Sequence, residues 1–287
     1  MNQTTASRNS GPALLPPNEE HVVARTTNAF ELERFMSSVA QSPRSVLLLD
    51  YDGTLAPFSL HRRQALPYPG MAALLQEIIV NGRTRVVIIT GRNAHEVMTL
   101  LAVNPRPEIW GCHGFERLRT DGICEIPDVR GTAMRALAEA EDWLKGQGLD
   151  SVAEFKTAAI AIHWRGLGEA RAAEIRDLVM RGWSPIAERT PMELLEFDGG
   201  IELRVPGHDK GDAVRTILSE IRPAVPVAYL GDDWTDERAF HVLGTAGLSV
   251  LVRPQWRKTA ASLWIRPPEG VHEFLTKWLL ACGGLRD

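Results

Sequence analysis

The segment Val46-Leu47-Leu48-Leu49-Asp50-Tyr51-Asp52-Gly53-Thr54 constrains this chain more than any other. Consecutive apolar residues with no polar alternation suit a strand buried on both faces, as in parallel sheets covered by helices. Two carboxylates follow at once, two residues apart, and in extended backbone such side chains point the same way. Gly53 then permits a sharp reversal. Adjacent carboxylates repel unless a cation or a shared proton relieves them. Mg²⁺ suits such a place, because it takes hard oxygen ligands and prefers one or two carboxylates with water and phosphate. The local expectation is a metal-assisted site with a carboxylate able to act as nucleophile.

The rest of the chain alternates in the same manner. Helices are expected at 29–39, 71–80 and 94–102, and strands at 46–50, 85–90 and 108–112, each strand a short apolar run closed by polar or glycine residues. Strand–helix alternation predicts an α/β fold, a parallel sheet with helices on both faces. The pattern then changes. A hairpin signal, Thr120-Asp121-Gly122, is followed by helix–strand–strand twice over: 132–145, 152–156 and 159–164, then 170–181, 192–197 and 201–205. This predicts an α+β unit inserted at 118–204, dividing a main domain into 26–117 and 205–287. The first pattern resumes with a helix at 209–221, a strand at 225–230 ending in Gly231-Asp232-Asp233, a helix at 236–242, edge strands at 248–252 and 262–265, and a closing helix at 271–281.

Composition narrows the function classes. A net charge of −4 over 287 residues gives no basic footprint for nucleic acid. Cys112, Cys124 and Cys282 are too few and too scattered for a disulfide framework or a zinc site, and a reducing, cytoplasmic setting is expected. No apolar run approaches the roughly 20 residues that span a bilayer, so no membrane partner is expected. Residues 1–25, rich in Ser, Thr, Asn and Pro, lack the apolar centre of a secretion signal and read as a disordered tail.

Polar groups stand at the ends of apolar strands: Asp50 and Asp52, Thr90, and Asp232 with Asp233, while Lys210 opens a helix. In open parallel sheets ligands bind beyond the carboxyl ends of the strands, so these groups should converge. Carboxylates for a metal, a lysine, a hydroxyl and backbone N–H groups together suit a phosphoryl group. This set resembles the four-motif pattern of haloacid-dehalogenase-type phosphatases. More narrowly, the chain is similar to the trehalose-6-phosphate phosphatases, on Asp50-Tyr51-Asp52-Gly53-Thr54-Leu55-Ala56-Pro57, Thr90-Gly91-Arg92, His113-Gly114-Phe115-Glu116, Glu154-Phe155-Lys156, His163-Trp164-Arg165, Ile201-Glu202-Leu203-Arg204, Lys210-Gly211-Asp212-Ala213 and Gly231-Asp232-Asp233-Trp234-Thr235-Asp236-Glu237. Thr90 stands where many such proteins carry Ser, and the hydroxyl is kept.

The resemblance implies a Rossmann-like core with a C2-type cap and a Mg²⁺-dependent phosphatase acting through an aspartyl-phosphate. Asp50 would be the nucleophile, Asp52 the acid and then the base, and Thr90 and Lys210 the phosphate holders. Mg²⁺ would be held by Asp50, the backbone carbonyl of Asp52, Asp232 and Asp233, with Asp236 behind them. Arg92, Glu154, Lys156, His163 and Glu202 would bind the substrate, the cap residues among them the sugar. It further implies trehalose 6-phosphate as substrate and a trehalose-phosphate synthase as a partner. Other readings are the same chemistry on glucosylglycerol or sucrose phosphate, transfer to a second substrate as in a phosphomutase, and a non-catalytic sugar-phosphate sensor. Single residues have plainer readings too. Asp232-Asp233 suits a helix cap, Glu154 and Lys156 suit a surface pair, and Trp110, Trp164 and Trp234 are first of all core or hinge aromatics.

Overall fold

The computed structural model describes residues 30–59, 64–127, 131–197, 199–221 and 225–283. The expected tail at 1–25 lies outside them. Strand β1 (Ser45–Leu49) is buried along its whole length. On one side it pairs in parallel with β2 (Thr84–Ile89), which pairs with β3 (Glu108–Gly111). On the other side it pairs in parallel with β10 (Val227–Gly231), followed by β11 (Leu248–Val252) and β12 (Leu263–Ile265). The direction of winding thus reverses between β1 and β10, the kind of switch point at which open sheets bind ligands.

The period of two decides which helices cover which face. Leu47 and Leu49, with Val86 and Ile88, pack against α1 (residues 30–41), α2 (Met71–Asn81), α3 (Ala94–Leu101) and α8 (Glu269–Ala281). Val46 and Leu48, with Val87 and Ile89, pack against α6 (Lys210–Glu220) and α7 (Asp236–Leu243). Both faces of β1 are therefore core, which is why its sequence lacks alternation.

A second sheet has the order β6-β7-β9-β8 and is antiparallel throughout: β6 (Ala153–Lys156), β7 (Ala159–His163), β9 (Gly200–Arg204) and β8 (Glu193–Phe197). Here one face alone is apolar. Ile160, Ile162, Ile201 and Leu203 pack on α4 (Thr132–Gln147) and α5 (Glu169–Arg189) around Trp183. The opposite face carries Glu154, Ala161 and Glu202 in register across three strands, and the small Ala161 leaves space between the two acids.

Three expectations are corrected. The hairpin of β4 (Glu116–Leu118) and β5 (Cys124–Glu125) joins the large sheet in antiparallel pairing beside β3, so the second sheet does not begin at 118. Leu118 is fully buried in the main core, which fixes the hairpin there. Helix α5 runs to Arg189 instead of ending near 181. Gly182 lets it pass α4, because a Cβ there would lie 2.2 Å from the Trp143 ring, and Pro185 sits within it. Strand β11 is interior, and β12 forms the edge.

Leu48 is fully buried at the centre of the large sheet. Leu48→Ala is expected to remove about 2–5 kcal/mol of stability, read from urea unfolding, because the cavity it leaves lies in the packed layer between the sheet and α6 and α7.

Candidate active site

Parallel register carries two acids to one place. Leu49 stands opposite Leu230, and the Asp50 N–H donates to the Leu230 carbonyl at 2.9 Å. Both strands then end, and Asp50 and Asp232 emerge together. Lys210 reaches them from the first turn of α6, whose N-cap Asp209 and Asp212 form a reciprocal capping box. The Lys210 Nζ donates to Asp50 Oδ1 and to Asp236 Oδ1, at 2.8 Å each. Asp236 Oδ1 also accepts from the Tyr229 hydroxyl at 2.5 Å, and its Oδ2 accepts from the N–H groups of Asp232 and Asp233 at 3.0 and 2.9 Å. Asp236 thus ties lysine, strand and loop together.

Carboxylate oxygens of Asp50, Asp232 and Asp236 lie within 4.8 Å of one another, and all three residues are buried. Burial raises the Asp50 carboxyl to about 7, with Lys210 opposing and the charge of Asp236 adding to the rise. Burial and the neighbouring Asp50 push Asp232 well above the usual carboxylate range. Burial works to lower the Lys210 ammonium, but Asp236 and Asp50 outweigh it and hold it protonated. Three carboxylates share one ammonium, so a proton or a cation must relieve their repulsion, and the donors are hard oxygens. This set can hold a divalent cation, with Asp50 and Asp232 as its available carboxylates, since the oxygens of Asp236 are already engaged. Asp233, expected among the ligands, is not in this group. Its Oδ1 accepts from the Trp234 N–H at 2.7 Å.

Gly53 makes the approach possible. Its φ is +81°, and a Cβ there would lie 2.3 Å from Asp232 Oδ2. Asp52 is fixed differently. Arg92 donates to both of its carboxylate oxygens, from Nε at 2.6 Å and from Nη2 at 2.7 Å, and to Glu96 at 2.6 Å. Arg92, expected among the substrate-binding residues, is buried against Asp52 and Glu96 at the wall of the cleft. Thr90, expected on the phosphate, is wholly buried, and its hydroxyl accepts from the Arg92 N–H at 3.1 Å. It braces the turn that brings Gly91 and Arg92 to the wall of the cleft.

That cleft has a volume of about 730 Å³ and lies between the two sheets. Asp50, Asp52, Lys210, Asp232 and Asp233 line one side, and Glu154, Lys156, His163 and Glu202 line the other. The Lys156 Nζ donates to Glu202 Oε1 at 2.5 Å and lies 3.9 Å from Glu154 Oε2, while His163 Nε2 is 2.8 Å from Glu154 Oε2. Burial disfavours the Glu202 anion, but Lys156 foremost, then His113, outweigh it and pull the carboxyl down to about 2. His113 itself is driven by burial to about 3, so its imidazole is neutral at ordinary pH and Lys156 carries the pairing. The structure places the His113 ring in the cleft wall, on a left-handed backbone (φ 58°) stacked where a Gly91 Cβ would sit 2.6 Å away. Sequence reasoning missed Tyr229. The signal for it was a hydroxyl-bearing residue inside a wholly buried strand, which must find a partner.

An acid-ended parallel sheet with a second sheet over its carboxyl edge is the architecture of the haloacid dehalogenase-like hydrolases. A solved member from B. subtilis superposes on 81% of this chain and 99% of its own, with a TM-score of 0.56 at 14% identity. The C-terminal domain of C. albicans trehalose-6-phosphate phosphatase matches over 88% of this chain and 97% of its own, with a TM-score of 0.71 at 19% identity. At these identities the likeness is one of fold. The family model for trehalose-phosphatase matches residues 48–263, and the chain belongs to that family. The trehalose-phosphate phosphatase of Mycobacterium marinum is 31% identical over 248 residues, which are 81% of this chain. The match spans 60% of that relative's length. Among the described residues no helix is long and apolar enough to cross a membrane.

Two outcomes are expected. Gly53→Ala combines an unfavourable left-handed backbone with a collision at Asp232, so it should lose roughly 1–3 kcal/mol in denaturant unfolding. Because the folded pKa of Glu202 lies below its usual value, the folded state binds fewer protons than the unfolded one between about pH 4.5 and pH 2. Its contribution is complete above that window and is lost as pH falls through it. Glu202→Gln should therefore show a shallower fall of stability with acid than the wild type over the same range.

Proposed function

We propose that this chain is a phosphatase that hydrolyses trehalose 6-phosphate to trehalose and phosphate with Mg²⁺ as its metal. The observation that carries this reading is a single cleft with a phosphoryl-handling set on one wall and a polar sheet face, Glu154–Lys156–Glu202 with His163, on the other. Sugar hydroxyls need both donors and acceptors, and that face supplies both. We take the inserted unit to be a cap that shields the cleft from bulk water, bounded approximately by 126 and 205, between β5 and the start of α6.

In this reading Asp50 attacks phosphorus and the bond to the sugar oxygen breaks. Asp52 gives that oxygen a proton, and for this one of its two hydrogen bonds from Arg92 must open. The aspartyl-phosphate is then cleaved by water, whose proton returns to Asp52. Lys210 holds Asp50 in line and neutralises charge gathering on the phosphoryl oxygens. Thr90 contributes through the turn it braces. Asp50, Asp232 and the Asp52 carbonyl would hold Mg²⁺, which supplies charge neutralisation and orientation of the phosphate. Asp236 fixes Lys210 and the loop of Asp232 and Asp233. The three cysteines are free, which supports a reducing, cytoplasmic setting. A trehalose-phosphate synthase is carried as a proposed partner, to be tested by co-purification.

Phosphate release from trehalose 6-phosphate, glucosylglycerol phosphate, sucrose phosphate and glucose 6-phosphate tests the substrate. Trehalose 6-phosphate should be preferred, and clear release from another sugar phosphate with none from it rejects the assignment. A chelator should abolish release and added Mg²⁺ should restore it. Asp50→Asn should lower kcat by at least about 10³-fold with the circular dichroism spectrum unchanged, and near-wild-type turnover would refute the nucleophile.

A further inference from the structure

Trp234, read from sequence as a core or hinge aromatic, is neither. It is 63% exposed and lines the cleft beside Asp232 and Asp233. Isolated exposed aromatics are ordinary, but this one is held in place. Its backbone N–H donates to Asp233 Oδ1 at 2.7 Å. The Arg257 guanidinium covers one face of the ring, 4.3 Å from the centroid. Arg257 is itself fixed, donating to the carbonyls of Asp233 at 2.8 Å and Asp232 at 3.3 Å and to the Glu237 carboxylate. Glu237 is anchored in turn by the Thr259 hydroxyl at 2.7 Å and the Ala260 N–H at 2.8 Å. One face of the indole is thus taken by a cation, while the residue is largely exposed and lines the cleft.

From this geometry we propose that Trp234 is a specificity-determining residue: the other indole face stacks on the apolar C–H face of a sugar ring whose phosphate lies at Asp50 and Asp232. Two residues span at most about 7 Å, so the ring it meets first is the phosphorylated one. Large rigid aromatics give contact area at little entropic cost, and here the ring is oriented before substrate arrives. The polar face of the second sheet supplies hydrogen bonds to hydroxyls, and Trp234 supplies an apolar platform that favours a cyclic sugar over an acyclic phosphate ester. The inference rests on the sugar-phosphatase reading above.

The test compares steady-state kinetics on trehalose 6-phosphate and on glycerol 3-phosphate, an ester with no ring. Trp234→Ala should raise KM for trehalose 6-phosphate by about fivefold to tenfold, with kcat little changed, and lower the selectivity ratio between the two substrates by the same factor. Trp234→Phe should recover most of that ratio. If kcat/KM falls equally for both substrates, Trp234 merely supports the acidic loop and the proposal is overturned. An unchanged ratio in a folded Trp234→Ala protein overturns it too. Should the wild type release phosphate from a different ring sugar phosphate but not from trehalose 6-phosphate, the substrate assignment alone fails, and the ratio is taken with that sugar. Release from no ring sugar phosphate ends both.

Discussion

A lysine ammonium buried between two carboxylates organises this molecule. Lys210 meets Asp50 at the end of β1 and Asp236 at the start of α7, and Asp236 in turn grips the loop after β10. Three separate elements are joined through one cation. An ion group so far from water survives only if each member is fully partnered. Lys210 donates to two carboxylates and both oxygens of Asp236 are engaged, while Asp50 and Asp232 are the carboxylates available to another guest. The same contacts that join these elements leave the crowded carboxylates of Asp50 and Asp232 to be relieved by a proton or a cation on the side facing the cleft.

The second sheet applies a different constraint. Its strands are apolar on one face and polar on the other, so packing α4 and α5 on Ile160, Ile162, Ile201 and Leu203 forces Glu154, Lys156 and Glu202 onto the face that looks toward the large sheet. Core and site are two consequences of one alternation. The cap polar residues need no further device to converge, and Ala161 between the two acids keeps their side chains from being crowded.

Much of this was legible in the chain. The unalternating apolar run of β1 announced a strand buried on both faces, and the acids at its end announced the site. The helix–strand–strand repeat announced the second sheet. What sequence left open were matters of partner choice. Whether the hairpin at 116–125 belongs to one sheet or the other depends on where Leu118 is buried. That Arg92 clasps Asp52 depends on a contact between residues 40 positions apart. Thr90 carries the expected hydroxyl, and the turn it sits in brings that hydroxyl to the Arg92 N–H. Trp234 is of a type usually buried, and only the guanidinium of Arg257 beneath it accounts for its standing exposed.

By itself the sequence determined the elements, their order, and the inventory of acids, lysine and hydroxyl, because periodicity and residue chemistry are local properties. Tertiary structure alone decided that Asp236 rather than Asp233 closes the acidic group, that Arg92 clasps Asp52, and that one wall of the cleft bears an exposed indole. Those outcomes turn on distances between side chains far apart in the chain, which no local pattern encodes.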